Sequence, residues 1–128
     1  MELYPPIVVH GLAEARAALA QGRPVTLVSA PGAALSAGCG WWRALMAAAR
    51  RDHPEVPCLD ILDCADATGL ALAALRIGVN HLILWPQAPG RDAVVAIAGA
   101  AGGFVLAAAP EGTRESEPAV RDKRRSPG

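Results

Sequence analysis

The chain has almost no lysine, no excess charge of either sign and few aromatic side chains, and each shortage removes a class of function. Eleven of its twelve basic residues are arginine, and the single lysine, Lys123, stands in a polar stretch near the end. A Schiff-base mechanism on lysine is therefore not expected. Twelve acidic residues balance the twelve basic ones. No field of one sign exists to draw nucleic acid or an anionic membrane surface. The short basic run RDKRR is diluted by nearby glutamates and has no aromatic residues interleaved for base stacking.

Cysteine is scarce and odd in number, at Cys39, Cys58 and Cys64. The opening MELYPPIVVH holds no apolar signal region and no cleavage site. The expected setting is a reducing cytoplasm with free thiols. Cys58 and Cys64 are spaced C-x5-C, while Cys39, His10, His53 and His81 are scattered. None of these forms the close-spaced pairs of a zinc site, so no metal is expected. The aspartates Asp60, Asp63 and Asp66 could gather Mg²⁺ at a strand end. The simpler reading makes Asp63 and Asp66 helix caps and pairs Asp60, which interrupts an apolar run, with an arginine or with His81.

Nucleotide and phosphatase signatures are also missing. The loop SAPGAALSAGCG lacks the lysine and hydroxyl of a phosphate-binding P-loop, and Gly38-Cys39-Gly40 runs into Trp41 and Trp42 without a GxGxxG pattern. Counting C-x5-R from Cys39 lands on Leu45. No particular cofactor is implied. From Ala93 to Pro110 no residue is charged. That length could just cross a thin bilayer, but its alanines and three glycines fit a helix, a Gly-Gly turn and a buried strand better. No membrane association is expected.

What the chain does have is alanine and short apolar runs. The runs are Ile7–Val9, Val25–Val28, the CLDIL stretch from Cys58, HLILW from His81, and Phe104–Leu106. Helical stretches separate them. The clearest is WWRALMAAARR, where Trp42, Leu45, Met46 and Ala49 share one face at i, i+3, i+4 and i+7. The others are expected at about Leu12–Ala20, Asp66–Ile77 and from Asp92 onward. The strands lack inside–outside alternation, which points to a parallel sheet covered on both faces. The expected fold is a single α/β domain over residues 1–109. It would have a five-stranded, mostly parallel sheet with helices on both faces, flavodoxin-like or Rossmann-like, and a disordered polar tail over 110–128. A half-barrel that pairs with a second copy is the alternative. The pattern resembles many small bacterial α/β domains, with no diagnostic motif.

In such sheets ligands bind beyond the carboxyl ends of the strands. Those ends carry His10, the loop from Ser29 to Gly40, Asp63 and Trp85. The loop's glycines, Gly32, Gly38 and Gly40, with Ser29 and Ser36, could offer N–H and O–H donors to a small anion. Cys39 at a helix start is the candidate nucleophile, with His10 and Asp63 as proton-transfer partners. Its competing reading is a small residue buried beside two indoles. Trp42 belongs to the core stripe, whereas Trp41 and Trp85 could line a ligand pocket or a subunit contact. No catalytic spacing survives this count. The expected role is a small binding or assembly module without covalent chemistry of its own, forming a homo-oligomer. The alternative is an enzyme or cofactor binder for a phosphate- or carboxylate-bearing small molecule.

Overall fold

Each apolar run forms a strand, and each alanine-rich stretch between two runs forms a helix. The computed structural model describes residues 3–116. In chain order the elements are β1 (Pro6–Val9), α1 (Leu12–Ala20), β2 (Val25–Ser29), the one-turn α2 (Ala33–Ser36), α3 (Cys39–Asp52) and β3 (Cys58–Asp63). They continue with α4 (Thr68–Arg76), β4 (His81–Ile83), α5 (Arg91–Ala100), β5 (Phe104–Leu106) and the short β6 (Arg114–Glu115).

The domain is α/β with an all-parallel sheet, as the pattern of runs implied. The sheet has six strands rather than five, in the order β5-β4-β3-β2-β1-β6. The sixth, β6, pairs with β1 at Ile7 and Val8, inside the segment expected to be a polar tail. Two backbone-paired residues are too few to leave an apolar signature. The rest of that tail, residues 117–128, lies outside the described residues.

From β1 to β5 each strand lies beside the one before it, always on the same side. Right-handed crossovers that step in one direction put every helix on one face. The contacts agree: α1 packs on α3, α3 on α4 and α4 on α5. The expected double layer of helices is thus a single layer, and the sequential order departs from the reversing orders of flavodoxin-like and Rossmann-like sheets. It is the order of the half-barrel alternative.

The helix-facing core joins Val9, Leu27, Leu62 and Leu82 of the strands to Leu19, Trp42, Met46 and Val94 of the helices. The opposite face carries its own buried cluster, Val8, Val28, Ile61 and Ile83, against which Leu3, Phe104 and Leu106 pack. No helix residue belongs to it. This explains the missing alternation, because both faces are dry although only one carries helices. The link from β5 to β6, residues 107–113, joins opposite edges of the sheet. Edges of a flat six-stranded sheet would stand about 24 Å apart. The link extends to at most about 28 Å, and a turn at Glu111–Gly112 shortens it. The side chains of the face opposite the helices pack on one another.

Several helix ends differ from expectation. α3 starts at Cys39, two residues early, because Gly38 at φ +91° turns the chain without a side-chain cap. α4 starts at Thr68, and neither Asp63 nor Asp66 caps it. Asp63 instead accepts a hydrogen bond from the Ala65 N–H at 2.9 Å, holding a turn in which Ala65 sits at φ +52°.

The tightest backbone approach lies where β5 begins. A Cβ added at Gly103 would stand 1.9 Å from the Asn80 carbonyl oxygen, so the residue must be glycine. Gly103→Ala is expected to cost at least about 1–3 kcal/mol, as overpacking does. Gly69→Ala, where an added Cβ meets nothing, is neutral or stabilising by up to about 1 kcal/mol. Urea unfolding of both variants checks the contrast.

Candidate functional site

The strand ends named from the sequence do not open onto one another. Ser29 and Asp63 do meet, but as a structural pair: the Asp63 N–H donates to the Ser29 hydroxyl at 2.9 Å, and that hydroxyl donates to the Ala30 carbonyl. Ser29 is 1% exposed and Asp63 7%. Gly32 at φ +68° sits ahead of α2, Ser36 ends that helix with its hydroxyl directed to the Ala33 carbonyl, and Gly40 lies in the first turn of α3. The loop folds on itself as a one-turn helix.

Cys39 is half-buried in the first turn of α3 and packs against the main core. Its neighbour Cys64 is fully buried. Burial, with the nearby Asp63 and Cys39, pushes the Cys64 thiol up to about 12. Trp42 is completely buried, as its place on the stripe required. Trp41 is half-buried, its ring 5.9 Å from that of Trp42, and Trp85 is exposed.

His10 lies at the seam between β1 and β6, the one place where strand order reverses. Glu14 organises that seam. One of its oxygens accepts from the His10 backbone N–H at 2.7 Å and the Ser116 hydroxyl at 2.6 Å, and lies 3.0 Å from His10 Nδ1. His10 Nε2 stands 3.8 Å from Glu115. The serine bonds the carboxylate directly instead of the imidazole. This is not the wiring of a nucleophile-base relay, in which the base must take the hydroxyl proton. It is a clamp that fastens β6 to the β1 edge. Burial alone would raise the Glu14 carboxyl. The bonds from Ser116 and His10, with the His10 charge, outweigh it and hold the group below its usual range.

The densest polar cluster lies at the other, amino end of the sheet and was only half visible in the sequence. Arg50 of α3 reaches Asp60 of β3 at 2.7 Å and donates to the Cys58 carbonyl at 3.0 Å. The Trp42 indole N–H donates to the other Asp60 oxygen at 3.3 Å. A charge interrupting an apolar strand demanded such a partner, and of the two pairings the sequence offered, arginine is the one formed. Burial raises the Cys58 thiol and lowers the His81 imidazole, so neither is charged near neutrality. Among the described residues no three His, Cys, Asp or Glu side chains gather as a metal site, and Asp60 and Asp63 point to opposite faces of β3.

No protein-family model matches the chain, and a search of the curated proteins finds no match. Among the described residues no helix is long and apolar enough to cross a membrane. The uncharged run from Ala93 forms α5, a Gly-Gly turn and β5.

Two measurements follow. Cys64 should be alkylated at least about a hundredfold more slowly in the native protein than in the unfolded chain, given its suppressed thiolate, with Cys39 labelling first. Peptide mass spectrometry over a time course reads both. For the clamp, Glu14 is more acidic folded than unfolded. Its contribution is complete above the unfolded value and is lost as pH falls through the lower, folded one. The Ser116 amide, bonded to the Val8 carbonyl, should lose exchange protection on acidification through that range. In Glu14→Ala the protection should already be reduced at neutral pH.

Proposed function

We propose that this domain is a small assembly module without covalent chemistry of its own, and that its partner is a second copy of the chain. The observation that carries the reading is the surface formed by α5 and β5. Between Ala93 and Pro110 no side chain is charged, yet Val95 is 39% and Ile97 46% exposed. Leu70 of the adjoining α4 adds a further exposed apolar group.

β5 supports the same reading. Among the described residues it pairs with β4 alone, so its outer edge presents N–H and C=O groups that none of them pairs, beside a largely apolar helix. Soluble domains ordinarily blunt such an edge with charge, proline or a covering element; here the charges of the flanking helix, Arg91 and Asp92, are confined to its first turn, and its later turns supply none. A two-fold arrangement suits this surface. Antiparallel pairing of two β5 edges would satisfy the backbone while α5 packs on its symmetry mate through Val95 and Ile97. The patch carries few charges, Asp92 in the first turn of α5 and Arg76 beside Ile97, so juxtaposing two copies brings few like charges together. The polar groups at the carboxyl ends of the strands, committed to Ser29–Asp63 and to the Glu14 clamp, favour this role over catalysis.

Sedimentation velocity over a concentration series should show a dimer. Val95→Glu combined with Ile97→Glu should dissociate it at concentrations where the parent is dimeric, with the circular dichroism spectrum unchanged. A parent that stays monomeric at high concentration, or a double variant that remains dimeric, would overturn the proposal.

A further inference from the structure

Asp60 and Arg50 sit where the sheet comes apart. β3 pairs with β2 along Cys58–Ile61, but with β4 only at Leu62 and Asp63. Among the described residues the amino half of β3 thus has no strand on that side, and a cleft of about 330 Å³ occupies the notch. α3 forms one wall and the turn from Gly78 into His81 the other. We infer that this notch is a binding site for a small organic carboxylate, held by Arg43 and Arg50.

The helix wall has the right spacing. Arg43, Ala47 and Arg50 fall at i, i+4 and i+7, on one side of α3, and all three line the cleft. Two guanidinium groups therefore flank a small side chain that leaves room between them. Arg50 spends only Nη2 on the protein, holding Asp60 and the Cys58 carbonyl through that one nitrogen. Guanidinium carries five N–H donors in a planar fork. Those on Nε and Nη1 make no hydrogen bond among the described residues, and the side chain is 40% exposed. The Asp60 contact fixes the plane of this fork before any ligand arrives, which lowers the ordering cost of binding.

The charge balance leaves room for one anion. Asp60 neutralises Arg50, and Arg43 makes no ion pair among the described residues, so the cleft carries one uncompensated positive charge. A carboxylate matches a guanidinium fork in shape and sign. The opposite wall supplies polarity and space. His81 lines the cleft with its ring stacked on Phe104 at 4.4 Å, and its Nδ1 is buried without a hydrogen-bond partner. Asn80 commits its amide N–H to the Ala101 carbonyl, which leaves its side-chain oxygen as an acceptor. A Cβ added at Gly78 would meet nothing within 4 Å, so this wall is open. The volume lies at the small end of ligand pockets, the scale of a metabolite rather than a peptide.

The half-buried ion pair itself argues for use. Such pairs are often no more stabilising than apolar side chains of the same size. Here the pair pins one guanidinium at the mouth of a cleft, a role no apolar substitute would fill. The cleft borders β5, because His81 stacks on Phe104, but none of its lining residues belongs to α5 or β5.

The Trp42 indole N–H is a built-in reporter, because it donates to the carboxylate that Arg50 holds. The protein would be titrated with succinate, benzoate and inorganic phosphate, at ionic strength matched with sodium chloride. The ¹H–¹⁵N spectrum would be followed throughout. Saturable shifts of the Trp42 indole and Asn80 amide signals with either carboxylate are expected. Arg43→Gln, a change at an exposed position, should weaken the binding at least tenfold without lowering Tm. Shifts that do not saturate, shifts reproduced by chloride, binding by phosphate alone, or an unchanged affinity in Arg43→Gln would each overturn the assignment.

Discussion

The structure rests on a topological constraint: every crossover from β1 to β5 steps to the next strand in the same direction. Because such connections are right-handed, the helices share one side. The sheet must then dispose of its other face without a second layer. It does so by packing Val8, Val28, Ile61 and Ile83 on one another, with Leu3, Phe104 and Leu106 against them. The clamp at Glu14 follows from the same constraint. A chain that winds one way leaves β1 as a bare edge, and β6 covers part of it, fastened by Ser116 and His10.

The sheet opens at its middle. β3 stays with β2 at its amino end and joins β4 only at its carboxyl end. A gap in a parallel sheet exposes backbone groups that need partners, and Arg50 answers part of that need by bonding the Cys58 carbonyl. Once the guanidinium is there, Asp60 is no longer a stray charge in an apolar strand, and Trp42 completes its solvation. One cluster thus ties the longest helix to a central strand and shapes the most polar cleft described here.

Alanine sets the character of the surface. Ala15, Ala49, Ala71, Ala74 and Ala98 are buried to within a few per cent, letting the helices lie close to the strands. The same economy leaves the outer face of α5, beyond Asp92 in its first turn, with small or apolar groups and nothing charged. That surface and the open edge of β5 lie at one end of the sheet, while the arginine-lined cleft lies at its amino side. The proposed association surface and the proposed binding cleft therefore meet at His81 and Phe104 but draw on different side chains.

The sequence by itself determined the elements. Apolar runs marked β1 to β5, a four-residue stripe marked α3, and Asp60 announced that it needed a partner. These are local properties, legible because periodicity and desolvation act within a few residues. The tertiary structure decided what lies beside what. Strand order is set by crossover direction, which leaves no trace in composition, so the double layer of helices became one. β6 is two residues long and exists only because β1 offers an edge. Ser29, read as a hydroxyl donor to a ligand, and Asp63, read as a helix cap or proton-transfer partner, turned inward because the Asp63 N–H needed an acceptor and the Ser29 hydroxyl stood opposite. Arg50 was one arginine among eleven until α3 laid it against the gap beside β3, since which charges meet is decided by packing across the fold.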